Sequence, residues 1–131
     1  MIFIDSNVPM YLAGAAHPNK ARTAELLEEL SGQGEEFVTD VEVYQEILHR
    51  YASIRRLNAA DDAFDALDRL VEEVLTFGTP EIRAARVLVE AVPTLSARDA
   101  LHAVVMYTAG VERIISFDHG FDACPGIERL E

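Results

Sequence analysis

The stretch Met1-Ile2-Phe3-Ile4-Asp5-Ser6-Asn7-Val8-Pro9 decides the fold. Its apolar run reads as a short buried strand. Ser6 or Asn7 can cap the helix that follows, and Pro9 suits a first-turn position in it. The rest of the chain repeats this strand-to-helix passage. The first helix is expected to reach about Ala15, and a second runs from Lys20 to Leu30, stopped by Gly32 and Gly34. Phe37-Val38-Thr39 reads as the next strand. Thr39-Asp40-Val41-Glu42 then matches a capping box, opening a helix to about Tyr51. Asn58 can cap a helix over Ala59 to Val71, and Val74 to Phe77 reads as a third strand. Thr79-Pro80-Glu81 starts a helix to about Ala91. Ser96-Ala97-Arg98-Asp99 caps another over Ala100 to Ala109, which Gly110 ends. Arg113 to Phe117 is the fourth strand, and Ile127 to Leu130 a short fifth at an edge.

Short apolar strands alternating with helices predict an α/β protein with a mainly parallel sheet of four to five strands. Helices cover both faces, giving a three-layer α/β/α sandwich, and a single domain is expected over residues 1–131. Right-handed crossovers place every strand's carboxyl end on one edge, where sites in open α/β sheets form.

Half of the 131 residues are hydrophobic, which excludes wholesale disorder. No apolar run approaches the ~20 residues needed to span a bilayer, and the first residues lack the basic start of a secretory signal. A lone cysteine, Cys124, fits a reducing compartment, so a cytoplasmic location is expected. The chain carries 23 acids against 11 Lys and Arg, a formal net charge of -12. The acids are spread, 12 in residues 1–65 and 11 in residues 66–131. A nucleic-acid binder usually shows a basic footprint, so this excess makes tight binding of nucleic acid without a metal unexpected.

Four acids stand where the topology can bring them together. Asp5 directly follows the first strand and Asp118 the fourth. Asp99 lies in the first turn of its helix, and Glu46 about two turns into another. Asp122, four residues past Asp118, is a further candidate. Each has a plain structural reading: Asp5 and Asp99 as caps, Asp118 in a turn with His119-Gly120, Glu46 as a solvated helix residue. Gathered together, they would repel one another and raise each other's pKa, a cost that a divalent cation removes. An all-oxygen set without Cys and His clusters suits Mg²⁺ or Mn²⁺ better than zinc. Such an ion can bind a phosphate oxygen and activate a water for phosphodiester hydrolysis.

Four stretches in this order resemble the PIN domain, in particular the VapC-type toxin ribonucleases of bacterial toxin–antitoxin pairs. They are Phe3-Ile4-Asp5-Ser6-Asn7-Val8, Val43 to Arg50, Ser96 to Ala103, and Ile115 to Asp122. The resemblance covers essentially the whole chain. It implies Mg²⁺- or Mn²⁺-dependent RNA cleavage, with Asp5, Glu46, Asp99 and Asp118 as catalytic and metal-holding acids. Asn7 and Ser116 are implied polar neighbours of the site. It further implies a small cognate VapB-type antitoxin, frequent homodimers, and structured RNA targets of the tRNA or rRNA class. Position 40 departs from the pattern: it is Asp where many relatives carry a small hydroxyl residue. Thr39 beside it is a candidate substitute, and Asp40 reads alternatively as a cap.

Ile47 to Ala60 contains no acid but holds His49, Arg50, Arg55 and Arg56. It reads either as an RNA- or partner-contacting segment or as a helix end where Arg complements the dipole. Arg98 reads as a substrate contact or as half of a salt bridge. His102, one turn after Asp99, reads as a group orienting Asp99 or approaching the metal, or as a hydrogen-bonded helix histidine. Other functions fit less well. A haloacid-dehalogenase-like phosphatase needs a second Asp where Asn7 stands, and a response-regulator receiver needs a late Lys, whereas the chain's one Lys is Lys20. A silent PIN-like scaffold and a PIN nuclease of RNA maturation remain as alternatives.

Overall fold

The structure, a computed structural model, describes residues 1–131. Its centre is β1 (Ile2–Ile4), whose three side chains are wholly buried. A strand covered on both faces has no polar side to offer, which is why Ile2-Phe3-Ile4 does not alternate. Burying each such side chain contributes about 1.5–3 kcal/mol. β1 pairs in parallel with β2 (Phe37–Asp40) on one side and β4 (Arg113–Ile115) on the other. β3 (Glu73–Leu75) and β5 (Glu128–Leu130) complete an all-parallel sheet in the order β3-β2-β1-β4-β5.

The chain moves outward from β1 to β2 and β3, then returns to β4 and β5 on the far side. Right-handed crossovers in opposite directions must lie on opposite faces. α1 (Asn7–Ala13), α2 (Pro18–Gly32), α3 (Val41–Ser53) and α4 (Leu57–Leu70) therefore cover one face. α5 (Thr79–Ala91) and α6 (Ala97–Ala109) cover the other. The packing agrees: α1 sits against α2 and α4, α3 against α4, and α5 against α6. The result is the expected three-layer sandwich, and the order of strands reverses between β1 and β4. The crevice beyond the carboxyl ends of these two strands is the topological switch point.

Several boundaries differ from the sequence reading. Thr39 is not the cap of α3. It is the third residue of β2, wholly buried, and its Oγ1 donates to the Ile4 carbonyl at 2.8 Å. Asp40 takes the cap, its Oδ1 accepting from Val43 N–H at 3.0 Å. α4 begins at Leu57, so Asn58 lies inside it. In α5, Glu81 accepts from the Gly78 N–H, placing the start one residue before Thr79. α2 starts two residues earlier, at Pro18, where His17 Nδ1 accepts from Asn19 N–H. α1 stops at Ala13, two residues short. A 3₁₀ turn over His119–Ala123, absent from the sequence reading, carries the chain from β4 towards β5. Gly110 ends α6 as expected, at φ 72, where a Cβ would be strained.

Candidate active site

Asp5 leaves β1 at the switch point and is almost wholly buried. Its backbone N–H still donates to Ile115 O, so the ladder between β1 and β4 fixes where the carboxylate starts. Its Oδ1 accepts from Ser6 N–H at 2.8 Å. Its Oδ2 accepts from Ser116 Oγ at 2.6 Å and from Asn7 Nδ2 at 3.4 Å. Ser116, just past β4, also accepts from the Asp118 N–H at 3.0 Å. Asn7 Oδ1 in turn accepts from Phe117 N–H. Asn7 and Ser116 thus lace the two strand ends together. Thr39 does not join them, because its hydroxyl is spent on β1.

Glu46 arrives from α3. Its Oε2 accepts from Ser6 Oγ at 2.9 Å, and its Oε1 is hydrogen-bonded by His102 Nε2. Ser6 therefore does not cap α1 with its side chain; it reaches across to Glu46. Asp99 enters from the first turn of α6, whose N-cap Ser96 accepts from the Asp99 N–H at 3.1 Å. Asp118 is exposed, and its Oδ1 accepts from Gly120 N–H at 2.8 Å. Gly120 makes the close approach possible. A Cβ there would stand 3.1 Å from Asp118 Oδ1 and 3.5 Å from Asp99 Oδ2.

The electrostatics follow from this crowding. Burial raises the pKa of Asp5, and Glu46 adds to it, while His102, Ser116 and the Ser6 N–H act against them. Asp99 is pushed up to about 8, first by burial, then by its hydrogen bond to Asp118 and the charges of Asp5 and Asp118. The folded chain thus resists ionising all its site acids at once. Oxygen donors that repel one another in this way suit a hard divalent cation, and ligand atoms of Asp5, Glu46 and His102 lie within 4.8 Å of one another. His102 is a poor third ligand, since each ring nitrogen already faces a carboxylate. Burial alone would depress its pKa, but hydrogen bonds to Asp40 and Glu46 override that and raise it well above the usual value.

Asp122 is engaged by a cation from β5. It is exposed and forked onto Arg129, with Oδ1 at 2.8 Å from Nε and Oδ2 at 3.3 Å from Nη2. Arg129 also donates to the Ser116 carbonyl, so β5 returns a cation that claims Asp122. Arg98 is exposed, forms no ion pair, and lines a groove of about 660 Å³ with Glu42, Ile82 and Leu101. Arg50 lies one turn beyond Glu46. Arg55 and Arg56 lie past Ser53, the last residue of α3 and itself about 10 Å along the axis from Glu46. All three are exposed and outside the acidic group.

His102 is a hydrogen-bonded helix histidine, one of the readings the sequence offered, but its partners Asp40 and Glu46 were not foreseen. A signal was present: His102 sits in the run Ala100-Leu101-His102-Ala103-Val104-Val105, and a polar side chain in so apolar a stretch needs partners.

An all-parallel sandwich with carboxylates converging at its switch point defines the class, and the family described as PIN domain matches residues 2–126. The chain belongs to the PIN-domain family. Its relatives there are VapC ribonucleases. It is 51% identical over 130 residues to Ribonuclease VapC13 of Mycobacterium tuberculosis, covering 99% of each chain. It is 37% identical over 119 residues to Ribonuclease VapC23 of the same species, covering 91% of this chain and 94% of that one. Among solved structures, Mycobacterium tuberculosis VapC20, described as a sarcin-ricin loop cleaving toxin, superposes with a TM-score of 0.77 at 19% identity, covering 95% of both chains. VapBC2 from Rickettsia felis, solved bound to a DNA fragment from its promoter, superposes with a TM-score of 0.76 at 15% identity, covering 99% of this chain and 98% of that chain.

Proposed function

We propose that this chain is a Mg²⁺- or Mn²⁺-dependent endoribonuclease, the toxin of a type II toxin–antitoxin pair. The observation that supports the reading is the approach of Asp5 and Glu46 ligand atoms within 4.8 Å, with Asp99 against Asp118, in a chain 51% identical to VapC ribonucleases. Asp5, Glu46, Asp99 and Asp118 would hold the ion. A cation bound there would supply a polarised water and positive charge facing the phosphate. The chain's residues do the rest. Asp5 is held rigid by Ser6, Asn7 and Ser116, so its carboxylate needs no reorganisation to bind. Glu46 is fixed from both sides by Ser6 and His102. Asp118 is the exposed member and stands nearest to solvent, where an RNA strand arrives. Asp99, with its pKa near 8, keeps a proton until a cation displaces it.

The partners follow the same reading. A structured RNA of the tRNA or rRNA class is the substrate, and a VapB-type antitoxin is the regulator. The net charge of -12 favours a regulator whose contacting segment is basic. A homodimer is the expected assembly. No helix is long and apolar enough to cross a membrane, and the free, buried Cys124 accords with a cytoplasmic location.

The test is Mn²⁺-dependent cleavage of purified cellular RNA by the wild type, Asp5→Asn and Asp118→Ala. Both variants should lose cleavage while keeping cooperative melting. Unchanged cleavage in both would overturn the assignment. A metal-induced rise in Tm for the wild type alone would separate the nuclease from a silent scaffold, since binding to the native state stabilises it.

A further inference from the structure

Strand β2 and helices α3 and α6 are tied together by a buried side-chain relay that ends on Glu46. His102 is wholly buried in the middle of α6. Its Nδ1 lies 2.7 Å from Asp40 Oδ2, and its Nε2 is hydrogen-bonded to Glu46 Oε1. Asp40 is itself wholly buried at the end of β2, with its other oxygen, Oδ1, capping α3. Phe3 of β1 packs against the imidazole with ring centroids 5.4 Å apart, so the ring cannot turn freely. No buried side-chain polar atom is left without a partner. We propose that His102 is a positioning residue, oriented by Asp40, that fixes the Glu46 carboxylate for metal binding.

The geometry supports this over two alternatives. As a metal ligand, His102 would have to release a carboxylate from one of its nitrogens, and both are engaged. As a purely structural core residue, it would need no contact with a site acid, yet one of its two hydrogen bonds goes to Glu46. Glu46 is a long, partly exposed side chain with several rotamers. With Oε1 on His102 and Oε2 on Ser6 Oγ, one rotamer is selected before any cation arrives. Partners that orient metal-binding groups typically change metal affinity or activity by about 10- to 100-fold when removed. The relay also explains why position 40 is an acid: Asp40 serves two bonds at once, a cap and an anchor for the imidazole.

This proposal rests on Glu46 being a metal-facing acid, and the experiment separates the two claims. Mn²⁺ affinity is measured on the full chain by the electron paramagnetic resonance of free Mn²⁺, for wild type, Glu46→Gln, His102→Leu, His102→Gln and Asp40→Asn. Melting curves certify the fold of each. Glu46→Gln should raise the Mn²⁺ Kd. His102→Leu should raise it about 10- to 100-fold. His102→Gln keeps an N–H donor for Glu46 and should recover part of the affinity. Asp40→Asn keeps the cap through its amide oxygen and should weaken binding less than His102→Leu. A folded Asp40→Asn and His102→Gln, both with wild-type Mn²⁺ affinity, would overturn the proposal even if His102→Leu does not fold. Nitrogen hyperfine coupling from a directly bound imidazole in the wild-type Mn²⁺ spectrum would overturn it too, by making His102 a ligand. Wild-type affinity in Glu46→Gln would overturn the placing of Glu46 at the metal, and this proposal with it.

Discussion

Replacing Asp99 by Asn should stabilise the metal-free protein, and by an amount that grows with pH. Asp99 has a reference pKa of 3.8 and is raised to about 8 in the fold, by burial and by the acids beside it. The native state therefore keeps a proton that the unfolded chain gives up above pH 4. Between those two values the unfolded state binds fewer protons, so stability falls as pH rises and levels off above pH 8. At about 1.4 kcal/mol per unit, the window of about four units sets an upper limit of about 6 kcal/mol. The proton is shared with Asp118, which is exposed and screened by water, and this cuts the effect to about 2–3 kcal/mol. Asn has the shape of the protonated acid and can donate to Asp118 as that acid does, but it carries no charge at any pH. For a chain of this length, the gain corresponds to a Tm higher by roughly 10 °C at pH 8. The assay is thermal unfolding in EDTA at pH 5 and pH 8. The gap between variant and wild type should be small at pH 5 and wide at pH 8. Saturating Mn²⁺ should then raise the wild type but not the variant. A variant that melts below the wild type at pH 8 in EDTA would refute the reasoning, because the crowding of acids would then carry no strain.

Gly120→Ala places a Cβ 3.1 Å from Asp118 Oδ1, so the carboxylate must shift, and Mn²⁺ affinity should fall about tenfold in a titration. Asp122→Asn should leave Mn²⁺ affinity unchanged, since Arg129 engages both oxygens of this exposed carboxylate, and should leave the urea-unfolding midpoint close to that of the wild type. Leu67→Ala, in the wholly buried face of α4, should cost about 2–5 kcal/mol by the same measurement without altering the Mn²⁺ Kd of the folded fraction. Affinity for the cognate antitoxin should drop steeply between low and high salt, and a flat response by calorimetry would count against a basic contacting segment.

The central strands were readable because Ile2-Phe3-Ile4, Phe37-Val38 and Ile114-Ile115 are apolar runs, and most helices because they begin at a recognisable polar or proline position. Asp5 and Asp118 could be placed from strand order alone, and Asp99 from its cap. Glu46 followed from helical spacing. What escaped is what depends on distant parts of the chain. Thr39 and Asp40 both match a cap on sequence, and only the neighbouring strand shows that Thr39 is engaged by Ile4. Asp40, Glu46 and His102 belong to different elements, so no local pattern joins them. Nothing near Asp122 in the sequence announces that β5 brings Arg129 beside it.

The seam between β1 and β4 has a consequence for control. Proteins open first at frayed ends and edge strands, and last at the middle of their sheets. Here Asp5 hangs from the most interior strand, and Ser116, which holds both Asp5 and the Asp118 backbone, follows its neighbour. Melting of β3 or β5 leaves that pair in place. Fluctuation at the margins therefore cannot disarm these groups, and amide exchange at Asp5 should be among the slowest in the chain. An inhibitor of such a site has two routes, to cover it or to unfold the whole sheet, and covering needs only a partner that stays bound.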